Sequence, residues 1–177
     1  MQLSYSILNN SHPLDQFTCG KSKDHKTLDI FLKQRALHHQ KNFIGTTLLA
    51  LDSTNTILGY ETLLADSIKI DESLRDKFFG HSKIKEKYPA YPALKIGRLA
   101  VRKDAQSKGV GKYLFQLAVG TSIQSNKQYG IGIRFIVVDA KGMSRTWYLK
   151  TLRFKTLDDK KPDFLYYDLK GWRDDDQ

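Results

Sequence analysis

The first half of the chain carries short runs of apolar residues separated by polar turns, a pattern typical of β-strands. Residues 5–8 form one such run, and residues 46–51 and 57–63 form two more that flank the polar stretch 52–56. Strand-forming residues on both sides of a short polar stretch predict a hairpin. Residues 28–37 differ, because their apolar side chains recur at helical spacing and therefore predict a helix.

The second half alternates predicted strands with predicted helices. Apolar residues 96–101 predict a buried strand, and after a polar turn with two glycines an apolar helical pattern runs to about Asn126. The charged segment 66–92 predicts a helix over 71–79 and then a loop, because two prolines near its end disfavour a regular element. The remaining predicted elements are a strand over 134–139, a short helix over 144–151 and a closing hairpin of 154–157 with 164–169. This order predicts an α/β protein, with a mixed sheet and helices on both faces.

The turn that follows residues 96–101 is the strongest candidate for a binding site. Gly109 and Gly111 lack Cβ atoms where the next helix begins, so backbone N–H groups there can approach a ligand closely. The first N–H groups of a helix have no intrahelical partner and lie at the positive end of its dipole. The turn therefore predicts a phosphate-binding site. It lacks the sequence of a P-loop or of a dinucleotide fingerprint, and an ordinary glycine-rich strand–helix turn is the alternative.

Length and cysteine content limit the class of protein. A chain of 177 residues suits a single domain spanning 1–177. No apolar stretch approaches the ~20 residues of a membrane span, and the amino terminus lacks a signal-peptide pattern, which predicts a cytoplasmic protein. The single cysteine, Cys19, excludes an internal disulfide and a cysteine-rich metal site. We expect its thiol to be buried rather than nucleophilic.

The chain is strongly basic. Twenty-nine Lys and Arg residues against nineteen Asp and Glu residues give a net charge of +10. Such an excess favours a polyanionic partner such as nucleic acid, and it also helps to hold an anionic cofactor. A solvated basic surface without a specific partner remains the alternative.

Two motifs resemble those of the GNAT N-acetyltransferases. The first, Gln106-Ser-Lys-Gly-Val-Gly111, resembles the Gln/Arg-x-x-Gly-x-Gly/Ala loop that holds the pyrophosphate of acetyl-CoA in that family. The resemblance implies the GNAT fold, a central mixed, mostly antiparallel sheet flanked by helices on both faces. It also implies a set of cofactor-binding residues: Leu99, Ala100, Val101, Gln106, Ser107, Lys108, Gly109, Val110, Gly111 and Lys112.

The second motif lies near the carboxyl end, where the family has an aromatic-Tyr pair, three residues and then Gly-Phe. Trp147-Tyr148 and Phe154 take these places, and the resemblance implies that Tyr148 donates its hydroxyl proton to the sulfur of coenzyme A. The alternative for Tyr148 is a core aromatic paired with Trp147. Two positions depart from the family, since Arg153 replaces the glycine and Lys141 stands where asparagine is common.

The amino-terminal part resembles one branch of that family, the GNAT toxins of type II toxin–antitoxin modules. Phe17-Thr-Cys-Gly20 and the segment 28–36 resemble their opening, and Gly97-Arg-Leu-Ala-Val101 resembles their central strand. The resemblance covers residues 4 to 169 and implies acetylation of the α-amino group of aminoacyl-tRNA. It implies as partners charged tRNA, a small ribbon-helix-helix antitoxin and a second copy of the chain, and it implies no metal.

Other candidate residues have weaker support. Arg98 and Asp139 are candidates for contact with the acceptor substrate, and Asp139 could instead cap the next turn. Glu61 is a candidate general base, or else a solvated strand carboxylate. His38 and His39 are adjacent and cannot form an i,i+4 metal pair. A housekeeping GNAT enzyme acting on a small-molecule or protein amine, and a non-catalytic acetyl-CoA-binding module, remain alternative functions, although Tyr148 argues against the second.

Overall fold

A computed structural model describes residues 2–79, 88–140, 142–158 and 161–171. The strands are Ser4–Ile7 (β1), Thr46–Leu51 (β2), Ile57–Ile68 (β3), Tyr91–Val101 (β4), Phe135–Asp139 (β5), Lys155–Thr156 (β6) and Phe164–Asp168 (β7). The α-helices are Lys23–Ile30 (α1), Ala36–Lys41 (α2), Glu72–Phe79 (α3), Val110–Lys127 (α4) and Gly142–Thr151 (α5). A π-helical stretch, Phe31–Arg35, joins α1 to α2.

The strands form a seven-stranded sheet in the order β1-β2-β3-β4-β5-β7-β6. β1 with β2, β2 with β3, β5 with β7 and β6 with β7 are antiparallel. β4 and β5 are parallel, and α4 lies between them in the chain. This arrangement confirms the predicted mixed, mostly antiparallel sheet.

The chain divides into two compact units. The first contains Met1–Leu64 and Ile96–Thr121, and the second contains Ala65–Lys95 and Ser122–Gln177. β3 and β4 each contribute residues to both units.

In the first unit, helices cover both faces of the strands, as predicted. Leu49 and Tyr60 lie on one face and pack against the π-helical stretch. Ala50 and Leu58 lie on the other face and pack against the start of α4. The two apolar clusters therefore hold the strands between the amino-terminal helices and α4.

In the second unit, aromatic side chains form much of the core. Phe78 of α3 lies edge-on to Phe135 and Tyr166, with ring centroids 5.7 and 5.1 Å away. The guanidinium of Arg134 donates two hydrogen bonds to the carboxylate of Asp168, at 2.6 and 3.0 Å. This bidentate pair ties the start of β5 to β7.

The structure differs most from the sequence prediction at three element boundaries, one of which is the end of β3 at Ile68, five residues beyond the predicted strand. α1 begins at Lys23, five residues before the predicted helix, because the Ser22 side chain accepts a hydrogen bond from the N–H of His25 and caps the helix. β4 begins at Tyr91 and includes Pro92, where a loop was predicted. Proline is compatible with the first residues of a strand, and the carbonyl of Pro92 still accepts from the N–H of Arg134.

Within the described ranges, no helix is long and apolar enough to cross a bilayer. The same residues contain no group of three or more His, Cys, Asp or Glu side chains arranged to hold a metal ion. Lys141, one of the two departures from the family pattern, lies outside the described residues.

Candidate functional site

The predicted phosphate-binding turn has the backbone of an anion cradle. Ser107 and Gly109 both have positive φ angles, 61° and 88°. The N–H of Tyr113 donates to the carbonyl of Gly109 at 3.0 Å, so the N–H groups of residues 110–112 precede the hydrogen-bond ladder of α4. A Cβ added at Gly109 would meet nothing within 4 Å, which shows that the concave side of the turn is open. The turn therefore offers unpaired backbone donors to an anion.

Gln106 was predicted to bind the cofactor, but its side-chain amide forms hydrogen bonds with backbone carbonyls of the protein. Its Nε2 donates to the carbonyl of Cys19 at 2.8 Å and to that of Val101 at 3.2 Å. The N–H of Lys103 also donates to the carbonyl of Thr18. These bonds fasten the turn to the end of β4 and to the amino-terminal segment. The Gln106 side chain therefore positions the turn, and the backbone of the following residues forms the cradle.

Electrostatics at the turn favour an anion. Lys108 and Lys112 are exposed, and the first turn of α4 has no acidic residue. The nearby Asp104 accepts two hydrogen bonds from Arg102, which hold the pKa of the Asp104 carboxyl below its ordinary value. Because this carboxylate is paired, the lysines and the helix dipole set the local potential.

Close packing sets the position of the helix that begins at the cradle. A Cβ added at Gly59 of β3 would lie 2.9 Å from Cγ1 of Val110 and 3.0 Å from the carbonyl oxygen of Ala100. Only glycine therefore lets α4 approach the strands this closely. Gly59 was not among the candidate residues from the sequence, although a glycine inside a run of strand-forming residues signals a close backbone approach.

β4 extends beyond its pairing with β5. Ala93, Leu94 and Lys95 pair with residues 135–137, and β4 then continues through residues 96–101 outside this ladder. Leu99 and Val101 pack with the α4 cluster, whereas Ala100 belongs to the cluster on the opposite face. The three predicted cofactor-binding residues of β4 therefore lie on the part of the strand that leads directly into the cradle.

Tyr148 lies on α5 in the second unit, and its side chain is 4% exposed. Its ring is edge-on to Trp147 and to Phe154, with centroids 5.0 and 5.1 Å away. Arg153 has φ +58°, the left-handed conformation that the family's glycine adopts without strain. The N–H of Phe154 consequently reaches the carbonyl of Tyr148 at 3.0 Å. The turn geometry is therefore kept despite the arginine.

The two candidates for substrate contact differ in how fully they are paired. Nη1 of Arg98 donates to the carbonyl of Gly97, and its guanidinium lies 5.2 Å from the ring centroid of Phe31 on an exposed part of the first unit. Asp139, in the second unit, forms an ion pair with Nζ of Lys95 at 2.7 Å. A hydrogen bond to Asp139 raises the pKa of Lys95. Asp139 is thus paired with a protein cation, which it shares with Asp66 at 3.5 Å.

Glu61 is buried, so the interpretation as a solvated carboxylate is wrong. It lies on β3 opposite Leu48, is 0% exposed, and neither carboxylate oxygen has a hydrogen-bond partner among the described residues. Burial raises the pKa of Glu61 well above its ordinary value. Burial thus favours the neutral form of this side chain in the folded protein.

The surroundings of Cys19, His38 and His39 are typical of residues with a structural role. The thiol of Cys19 is 2% exposed and donates to the carbonyl of His25, and burial raises the pKa of the thiol to about 12. This confirms the prediction of a buried, unreactive cysteine. His39 packs edge-on against Phe31 at 5.2 Å, and His38 is exposed on the last turns of α2.

Comparison with known proteins identifies the fold. No protein-family model matches the chain. A solved structure of AtaT complexed with acetyl-methionyl-tRNAfMet is 23% identical, with 96% of each chain covered and a TM-score of 0.77. A tyrosine-to-phenylalanine mutant of the AtaT toxin, bound to the C-terminus of the antitoxin AtaR and acetyl-CoA, is 22% identical with a TM-score of 0.70, over 95% of this chain and 94% of that one. A tyrosine-to-phenylalanine mutant of KacT is 25% identical, with 96% of each chain covered and a TM-score of 0.72. The chain therefore has the GNAT fold that its sequence predicts.

Proposed function

We propose that this protein is an acetyl-CoA-dependent N-acetyltransferase that acetylates the α-amino group of aminoacyl-tRNA and thereby blocks translation. The observation that carries the proposal is the open cradle at the start of α4, built by the same glycine-containing signature that the family uses for acetyl-CoA. The similarity of nearly the whole chain to AtaT, solved with an acetylated aminoacyl-tRNA, supports the choice of acceptor. The net charge of +10 is compatible with an RNA substrate.

The residues of the cradle fit the cofactor. Its open concave side and unpaired N–H groups suit a pyrophosphate, and Lys108 and Lys112 add positive charge beside it. Bound acetyl-CoA supplies a thioester-activated acetyl group. The backbone of Leu99–Val101 would stabilise the negative charge that develops on the thioester carbonyl oxygen.

Tyr148 takes the role of general acid in this proposal. Its hydroxyl would donate a proton to the sulfur as the carbon–sulfur bond breaks, while the acceptor amine forms the new carbon–nitrogen bond and releases a proton to water. A tyrosine-to-phenylalanine change was chosen in the solved toxin structures described above, which supports this assignment. The α-amino group of an aminoacyl ester is less basic than a lysine side chain, so no strong protein base is needed.

The partners follow from the same proposal. AtaT has been solved with the antitoxin AtaR, so we propose that a small antitoxin, expected to be of ribbon-helix-helix type, occludes this enzyme too. A homodimer remains a prediction, and so does the single domain spanning 1–177 that the chain length suggests. Because charged tRNA is used in translation, the proposal places the enzyme in the cytoplasm.

The test is transfer of label from radioactive acetyl-CoA to total charged tRNA. The label should appear in the tRNA fraction and should leave with the amino acid on mild alkaline deacylation. Tyr148→Phe should transfer far less label, and expression of the wild-type chain should arrest growth. Label found only on polyamines or protein lysines, with harmless expression, would instead support the housekeeping alternative.

A further inference from the structure

A single aromatic side chain projects almost entirely into solvent from the turn between α2 and β2. Phe43 is 97% exposed, and the neighbouring Ile44 is 48% exposed. Folding alone gives no reason for a phenylalanine here, because the ring packs against little of the protein and leaves a large apolar surface in water.

The backbone at this position also disfavours phenylalanine. Phe43 has φ +55°, in the left-handed region that bulky residues rarely adopt and that glycine or asparagine adopts readily. An aromatic residue that is both strained and exposed lowers the stability of the fold. Strain that persists at such a position is a signal of function.

Hydrogen bonds hold the backbone of this turn in place. The N–H of Phe43 donates to the carbonyl of Gln40 at 3.1 Å, and the N–H of Ile44 donates to the carbonyl of His39 at 3.0 Å. The Gln40 side chain in turn donates to the carbonyl of Leu8 and accepts from the N–H of Thr47, at 2.8 and 3.1 Å. Phe43 is therefore presented on an anchored turn.

The surface beside this turn is cationic. Residues 21–41 contain six Lys and Arg against two Asp, and all six cations are exposed. One of the two acids, Asp29, already accepts hydrogen bonds from Thr18 and from the N–H of Cys19. The segment that ends at Phe43 thus carries a local excess of positive charge.

Side-chain contacts connect the turn to Arg98. The Arg98 guanidinium lies over the ring of Phe31, and the edge of the same ring contacts His39. The carbonyl of His39 accepts the N–H of Ile44. A chain of contacts within the first unit, through the buried ring of Phe31, therefore connects the turn with Arg98, the residue predicted to face the substrate.

We propose that Phe43 is a stacking platform for an unpaired base of the RNA substrate, and that Arg35, Lys41 and Arg98 bind phosphates on either side of that base. The inference rests on the proposed function, and it adds the surface that would recognise the RNA. Aromatic rings that project among cations are a recurring means of binding single-stranded RNA, because every base has a face that can stack. The cations favour RNA over a protein partner.

The test measures the binding of total tRNA by fluorescence anisotropy at fixed salt, which requires no catalysis. Phe43→Gly removes both the ring and the strain, so it should not lower the melting temperature. Its Kd for tRNA should rise about 5- to 150-fold, the range that corresponds to the loss of one base stack. Phe43→Trp should keep the wild-type Kd. Tyr129→Ser, which removes an aromatic residue 65% exposed in the second unit, should also keep it.

The salt dependence of the Kd for tRNA distinguishes a loss of base stacking from a loss of charge. Phe43→Gly should leave the slope of log Kd against log salt unchanged, whereas Lys41→Ala should reduce it by about 0.7–0.9. An unchanged Kd in Phe43→Gly would overturn the inference, and altered self-association with an unchanged Kd would assign the ring to a protein contact. Failure of the wild-type chain to acetylate tRNA would refute the proposed function alone, since the binding measurement still decides the role of Phe43.

Discussion

Replacing the buried carboxyl of Glu61 with an amide should change how the stability of the protein depends on pH. Glu61 is 0% exposed and lacks a hydrogen-bond partner among the described residues, and burial raises its pKa in the folded state. The unfolded chain loses this proton near pH 4.3, the ordinary value for glutamate. Above that pH the folded state binds more protons than the unfolded state, so the stability of the wild-type protein falls as pH rises. The fall continues until the pH reaches the raised pKa of the folded state.

One proton of linkage changes the free energy of unfolding by about 1.4 kcal/mol per pH unit. Glu61→Gln cannot ionise, so its stability relative to the wild type should grow with pH, by up to about 2.7 kcal/mol between pH 5 and pH 7. Urea unfolding followed by tryptophan fluorescence at several pH values measures this difference, and taking the difference cancels the titration of all other groups. Asp15→Asn, at an exposed carboxylate, is the control and should show a constant difference. A constant difference for Glu61→Gln as well would refute the reasoning, because the carboxylate would then be as well solvated in the folded protein as in the unfolded chain.

Four further predictions concern the cradle, Tyr148, the α5 turn and the cysteine. Gly109→Asp should abolish acetyl-CoA binding in calorimetry, because its side chain enters open space but strains the positive φ of the turn and places negative charge against the phosphates; unchanged affinity would argue against the cradle. Tyr148→Phe should lower kcat by ~10²–10⁴ and leave acetyl-CoA affinity nearly unchanged, whereas full turnover would assign Tyr148 to the core. Arg153→Gly should relieve the left-handed strain and stabilise the fold by about 0.5–1 kcal/mol, seen as a melting temperature higher by ~2 °C; a lower melting temperature would contradict it. Cys19 should react with a thiol reagent about a thousandfold more slowly in the folded protein than in urea, because burial raises the pKa of its thiol to about 12, and equal rates would show that the thiol is accessible.

The order of elements and the cradle were predictable from the sequence, because both depend on local signals. The hairpin of β2 and β3, the helix after the two glycines and the parallel partner strand all follow from apolar periodicity and turn residues. The φ angle of Gly109 matches a turn that needs a residue without Cβ.

Features set by distant contacts were not predictable in the same way. Strand alternation places Glu61 on the same face as Gly59, but only the close approach of α4 to that face shows that a carboxyl there is buried. Gln106 was predicted to touch the cofactor, and its bond to Cys19 joins residues 87 positions apart. The strain at Phe43 and Arg153 is likewise a property of the folded backbone, which residue identity at those positions does not reveal.

The hydrogen bonds of Gln106 have a thermodynamic consequence for regulation. Because the same amide group joins the cradle to the carbonyl of Cys19, the ordering of the turn and the ordering of the 17–20 segment are coupled. Such coupling is reciprocal. A ligand that orders the turn also slows hydrogen exchange in the amino-terminal segment, and a partner that displaces that segment lowers the affinity for the ligand to the same degree. An inhibitor that binds the 17–20 segment can therefore weaken cofactor binding without entering the cradle.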